Sequence, residues 1–164
     1  MKWDEVNKQQ CSVARSSSVL GDRWTLLILS DCFLGVRNFD QFQERLEIPR
    51  TTLASRLQKL EQHDVLYRKQ YQSSPDRFEY RLTDKGRDLY PVLSTILNWG
   101  DKYYSDEAGP PILRRHVSCG HDIQPVLQCP ECEKTVDAHN VHARTRPQSG
   151  AHPDVSRGPI QRRA

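Results

Sequence analysis

The chain has 164 residues, room for one domain of ordinary size and an appendage. A mean hydropathy of −0.76, with 36% hydrophobic and 27% charged residues, points to a compact core plus a solvated segment. The formal charge of +3 and pI near 8.6 are compatible with nucleic acid, although so small a net charge does not by itself establish that partner.

The opening "MKWDEVNKQQ" has no apolar stretch of the kind a secretory signal carries. The longest apolar run, "WTLLIL", is far shorter than the ~20 residues that cross a bilayer. A soluble, cytoplasmic protein with no membrane partner is therefore expected. In that compartment thiols stay reduced, and closely spaced cysteines read as metal or redox sites before structural disulfides.

In chain order, Val13, Val19 and Leu20 suit a short helix that ends near Gly21. Asp22 can cap a second helix, "RWTLLILSDCF", whose run Leu26 to Leu29 predicts burial. "GVRN" is a turn, and Asn38 can cap "FDQFQERL", where Phe39, Phe42 and Leu46 recur at helical spacing. "EIP" breaks the chain, with Pro49 at a position where a first-turn proline is tolerated. The next helix, "RTTLASRLQKLEQ", gathers Leu53, Leu57 and Leu60 on one face. Thr51, Ser55, Gln58, Lys59 and Gln62 lie opposite, flanked by Thr52 and Arg56. "VLYRKQY" and "RFEYRL", separated by "QSSPD", make a hairpin signal. Thr83 then caps a long helix with apolar Leu89, Val92, Leu93, Ile96, Leu97, Trp99 and Tyr103, and Pro91 falls in its early turns, where a bend is expected.

Five segments follow: an arm (1–10), the helical domain with its hairpin (11–104), a linker (105–115), a Cys/His segment (116–136) and a tail (137–164) whose composition predicts disorder. The fold class is mainly α with a small β-hairpin wing, a winged helix-turn-helix, followed by a short Cys/His ribbon. A helix with one core face and one hydrogen-bonding face can enter the DNA major groove. Arg50, Thr51, Thr52, Ser55, Arg56, Gln58 and Lys59 are the candidate contacts on that helix. The hairpin carries Arg68, Lys69, Arg77 and Arg81 against Asp76 and Glu79, and suits phosphate or minor-groove contact. A polar outer face is also the default of any surface helix. The succession of elements, ending in a basic hairpin, favours double-stranded DNA.

"CSVARSSSVLGDRWTLLIL", "RNFDQFQERL", "LASRLQKLE", "FEYRLTDKG" and "PVLSTILNWGDKYY" occur in order over roughly Cys11 to Tyr104. Together they resemble the HxlR-type, MarR-like winged helix-turn-helix regulators. The resemblance implies a transcription factor, a repressor sooner than an activator, that binds operator DNA as a homodimer through its terminal helices. Two recognition helices would then stand ~34 Å apart on successive major-groove turns. Asp64 replaces the glycine that the family commonly carries after the recognition helix, so a differently shaped helix end is expected. Cys11 matches a position where some members sense oxidants or electrophiles, which makes it the candidate redox sensor. The same thiol could equally be a packing residue. Cys32, in apolar "SDCFLG", reads as core.

No glycine-rich phosphate loop, GxSxG or HExxH is present, so no enzymatic activity is expected. The remaining cysteines lie in "HVSCGHDIQPVLQCPECEK". His116 and Cys119 share the two-residue spacing of Cys129 and Cys132, and three thiolates with one imidazole make a tetrahedral structural zinc set. His121 is an alternative fourth ligand. A redox-active C-x-x-C or an inert polar segment are the other readings. The rival to DNA binding is a metal-dependent protein-interaction module built on this segment, with the helices as scaffold.

Overall fold

The computed structural model describes residues 11–143; the expected arm (1–10) and most of the expected tail (144–164) lie outside the described residues. The chain divides into two compact units, one ending at Ile96 and one beginning at Leu97.

The first unit begins with α1 (Ser12–Leu20) and α2 (Arg23–Phe33). The Asp22 side chain caps α2, accepting hydrogen bonds from the Trp24 amide at 3.0 Å and the Thr25 amide at 3.3 Å. The predicted burial of Leu26 to Leu29 holds only in part. Ile28 and Leu29 are fully buried, whereas Leu27 is 45% exposed, because a helix on the rim of a small core can bury only one of its sides.

A turn through Gly35, at φ +90°, leads to α3 (Phe39–Leu46). The Gln41 side chain reaches back to the Asn38 amide at 3.4 Å, closing the start of α3. Asp31 of α2 is 5% exposed and accepts two hydrogen bonds from Arg45 of α3, at 3.1 and 3.2 Å. This bidentate pair fixes the angle between α2 and α3.

Helix α4 (Arg50–Gln62) follows with Pro49 as its N-cap, and buries Leu53, Leu57 and Leu60 in the cluster that holds Ile28, Leu29 and Phe42. Strands β1 (Leu66–Ser73) and β2 (Asp76–Leu82) pair antiparallel from Leu66 opposite Leu82 to Ser73 opposite Asp76, with one irregularity between Gln70 and Gln72. Only Leu66 of β1 is buried, so the hairpin projects as a wing. At its base, the Tyr80 amide donates to the Arg37 carbonyl at 2.8 Å, tying β2 to the α2–α3 turn.

The single long helix expected after Thr83 is two helices, α5 (Asp84–Arg87) and α6 (Tyr90–Tyr104). Thr83 caps α5 by accepting from the Gly86 amide at 3.0 Å. Pro91 has no amide proton to continue the ladder from α5 and sits in the first turn of α6, where the missing donor is tolerated, so the chain stops and restarts. A Cβ at Gly86 would run into the Val65 carbonyl, which explains why glycine stands there.

In the second unit, the Arg114 side chain donates to the Asn98 side-chain carbonyl at 2.8 Å and pairs with Asp101 at 3.0 Å. Asn98 in turn donates to the Pro125 carbonyl at 2.6 Å. Asp137 to Asn140, at the start of the expected tail, form a hydrogen-bonded turn.

The helix end after α4 departs from expectation. Asp64 adopts the left-handed conformation at φ +55°, as the family's glycine would, instead of reshaping the turn. The Thr83 hydroxyl donates to its carbonyl at 2.7 Å and helps to hold it there. A non-glycine residue in this region carries a conformational cost. Asp64→Gly is therefore expected to stabilise the fold by up to about 1 kcal/mol. Thermal unfolding would show this as a midpoint a few degrees higher, and a lower midpoint would contradict it.

Candidate nucleic-acid interface

Three stripes run along α4. Leu53, Leu57 and Leu60 form the buried one. Thr51, Ser55, Gln58 and Gln62, spaced so that they stack over successive turns, are all exposed. Thr52, Arg56 and Lys59 form the third, half-buried stripe, which faces the α1–α2 junction.

There Arg56 holds Asp22 with two hydrogen bonds, Nε to Oδ1 at 2.9 Å and a second guanidinium nitrogen to Oδ2 at 3.1 Å. Lys59 donates to the Ser18 carbonyl at 2.6 Å. Arg56 and Lys59, expected on the DNA-facing side, are thus engaged inside the domain. Asp22 was legible as a cap, but its second role, clamping Arg56, joins residues far apart in sequence and left no local signal.

Arg50 opens the exposed end of α4, with its guanidinium 4.7 Å above the Phe39 ring and 3.8 Å from the Asp40 carboxylate. Such an exposed pair is weak and can be exchanged for a phosphate.

On the wing, Arg68 pairs with Glu61 of α4 at 2.9 Å and Arg81 with Glu79 at 2.7 Å. The side chains of Lys69 and Arg77 are exposed and engage no ion-pair or hydrogen-bond partner among the described residues. Of the four predicted wing cations, these two are the ones the structure leaves available. Arg37 is also exposed, at the wing's base, and was not singled out from sequence because it sits in a turn. With Arg81, Arg87, Tyr67 and Tyr80 it borders a cavity of about 310 Å³ that also reaches Cys32.

The thiols differ sharply. Burial pushes Cys32 up to about 12, reinforced by neighbouring Asp31 and opposed by Arg37, so it stays a protonated packing residue. Cys11 is half-exposed at the N-cap of α1.

In the second unit, His116 Nδ1 lies 3.2 Å from Cys119 Sγ, and the amides of Cys132 and Glu131 hold the Cys129 thiol below its ordinary range. The side chains of His116 and Cys119 are thus in contact, while Cys129 and Cys132 share a turn closed by the Glu133 amide on the Cys129 carbonyl at 2.9 Å. Among the described residues, no three His, Cys, Asp or Glu side chains are gathered around one point. The His121 side chain is exposed, and its carbonyl accepts from the His116 amide at 2.9 Å.

A mainly helical domain with a two-stranded wing behind an exposed polar helix defines a winged helix-turn-helix protein. The model of the HxlR-like helix-turn-helix family matches residues 19–108, and the chain belongs to that family. An uncharacterised HTH-type transcriptional regulator of Mycobacterium tuberculosis is 46% identical over 130 residues, 79% of this chain and 82% of that protein. The crystal structure of PA1607, described as a candidate transcription factor, matches with a TM-score of 0.74 and 31% identity, over 84% of this chain and 96% of that one. The redox regulator HypR in its oxidised form matches with a TM-score of 0.54 and 27% identity, over 58% of this chain and 100% of that one.

Asp22 gives the interface a dependence on pH. Hydrogen bonding to Arg56 holds its carboxyl below the ordinary 3.8, against a smaller opposing effect of burial. A carboxyl whose pKa falls on folding stabilises the fold above its unfolded value, and that contribution is lost as pH drops through the folded value. The stability advantage of the wild type over Asp22→Asn is therefore expected to be full near neutrality and to shrink below about pH 4. Urea unfolding of both proteins across that range checks it; an advantage that grows towards acid would be inconsistent with the pairing.

Proposed function

We propose that this protein is a cytoplasmic, sequence-specific transcriptional repressor that binds double-stranded operator DNA as a homodimer and has no enzymatic activity. The observation that carries the reading is the exposed Thr51–Ser55–Gln58 stripe, held outward because the opposite side of α4 is locked into the core. Thr51, Ser55 and Gln58 read base edges, with Thr52 beside them. Arg50, Lys69 and Arg77 neutralise phosphates. Arg56 and Lys59 orient the helix, while Arg68 and Arg81 brace the wing. No helix among the described residues is long and apolar enough to cross a membrane, in keeping with a regulator that meets DNA in the cytoplasm.

The dimer reading rests on α6. Val92, Ile96, Trp99 and Tyr103 recur at helical spacing and are 43, 44, 57 and 59% exposed, an apolar stripe that a second copy would cover. The Cys/His segment is read as a zinc-ribbon-like accessory of this regulator, in preference to a protein-interaction module using the helices as scaffold.

Selection from random duplexes followed by mobility shift tests the function directly, with failure to enrich any sequence favouring the interaction module. Gln58→Ala is expected to cost about 1–3 kcal/mol on the selected site and to relax its sequence preference. Lys69→Ala or Arg77→Ala is expected to weaken all DNA alike and to flatten the salt dependence by about one unit of slope each.

A second reading concerns the signal. HypR, to which the chain is similar, is a redox regulator. Cys11 and Cys32 are both partly exposed, but Cys32 is held protonated by its apolar surroundings. A quinone would add the Cys11 sulfur to its ring, forming one carbon–sulfur bond and leaving a hydroquinone that carries the thiol proton. Quinone treatment is expected to weaken operator binding by wild type and not by Cys11→Ser; unchanged wild-type binding would end the idea.

A further inference from the structure

The stretch from Arg114 to Val136 contains one backbone pattern twice, thirteen residues apart, of which the sequence shows only the shared two-residue spacing of H-V-S-C and C-P-E-C. In the first copy, the amide of Gly120 donates to the carbonyl of His116 at 2.7 Å and that of His116 to His121 at 2.9 Å. In the second, Glu133 donates to Cys129 and Cys129 to Lys134, both at 2.9 Å. Outside these, Arg115 bridges to Asp122 as Gln128 does to Thr135. One step further out, Ile123 donates to Arg114 at 2.8 Å and Val136 to Leu127 at 2.9 Å. The residue after the second donor of each pair is left-handed, Gly120 at φ +72° and Glu133 at φ +57°.

The match superimposes His116 on Cys129 and Cys119 on Cys132. It places His121 on Lys134, beyond the left-handed residue, where the second copy has no metal-binding group.

Neither turn is held by a core. No residue from Arg115 to Val136 is buried, and Val117 and Val126 are 94 and 72% exposed. Two hairpin turns, one carrying a strained non-glycine residue, need some constraint other than apolar burial. A bound metal supplies that constraint in domains too small for a core. The donors of the first turn already fit as a pair. Two ligands on one tetrahedral zinc, with Zn–S of about 2.3 Å and Zn–N of about 2.0 Å, stand roughly 3.5 Å apart. His116 Nδ1 and Cys119 Sγ are 3.2 Å apart.

We propose that His116, Cys119, Cys129 and Cys132 form one structural zinc site, each turn supplying two ligands, with His121 outside it. This rests on the zinc-ribbon reading above and goes further by assigning its ligands. Three soft thiolates and an imidazole select zinc over magnesium or calcium. Because the pairs are not yet gathered around one point, zinc draws the two turns together. The site is anchored on the second half of α6. Arg114, directly before the first turn, pairs with Asp101, and Pro125, between the turns, accepts from Asn98.

The test uses the full chain, purified with a thiol reductant and without chelator. Elemental analysis is expected to find about one zinc per chain. Cobalt bound in its place is expected to give the tetrahedral spectrum with thiolate-to-cobalt charge transfer. His116→Gln and Cys132→Ser are expected to weaken cobalt binding more than about tenfold, with helicity unchanged, and His121→Gln to leave it within about twofold. Loss of binding in His121→Gln but not in His116→Gln would overturn the ligand assignment and leave the zinc reading standing. Wild type with little zinc, with iron, with two metals per chain or with a Cys129–Cys132 disulfide would overturn both. Operator binding is measured separately, so neither failure touches the DNA-binding reading.

Discussion

Burial of one side of α4 is the constraint on which the DNA-binding unit depends. Leu53, Leu57 and Leu60 are all within 1% of complete burial. At about 1.5–3 kcal/mol per fully buried side chain, they outweigh the individual polar contacts made by the same helix. Burial of three leucines, however, leaves some freedom to roll about the helix axis. Arg56 and Lys59 remove it on one side by holding Asp22 and the Ser18 carbonyl. Asp22 also caps α2, so one carboxylate sets where α2 begins and how α4 is rotated. The exposed stripe is what remains once the buried and clamped sides are fixed.

Much of this was legible in the sequence, and the failures have physical causes. The bounds of α2, α3 and α4 follow from caps and apolar spacing, which are local signals. Arg56 and Lys59 were placed on the DNA side because helical period separates core from non-core but cannot tell which non-core flank faces a neighbouring helix. Their partners, at residues 22 and 18, belong to a different element. The long helix after Thr83 was overextended because its apolar pattern continues across Pro91, and the backbone consequence of the missing amide outweighed that pattern. Asp64 shows the reverse: the side chain looked unsuited to the turn, and surrounding hydrogen bonds impose the turn regardless.

The second unit was legible as donor types and spacing, but not as geometry. H-V-S-C and C-P-E-C suggest two pairs, yet spacing leaves His116 and His121 equivalent. The proposed choice of His116 rests on the backbone compared turn against turn. Glycine at position 120 and glutamate at 133 share a conformation that their identities conceal. Here the useful repeat lies in hydrogen bonds and dihedral angles, with almost nothing of it in side-chain chemistry.

The distribution of cations bears on why a single copy would be a weak DNA binder. Arg56 and Lys59 are committed inside the domain, Arg68 to Glu61 of α4 and Arg81 to Glu79 of the wing. Arg50, Lys69 and Arg77 are left to meet phosphates, with the neutral Thr51–Ser55–Gln58 stripe between them. Phosphate neutralisation supplies most non-specific affinity, so on the proposed reading these few cations, with Arg37 at the wing's base, would give one copy limited hold on DNA at physiological salt. Two copies on adjacent major-groove turns would double those contacts, and the second engagement would become intramolecular. On this reading the apolar stripe of α6 and the sparse charge of α4 are complementary: dimerisation supplies the affinity, and the neutral stripe is free to discriminate between base sequences.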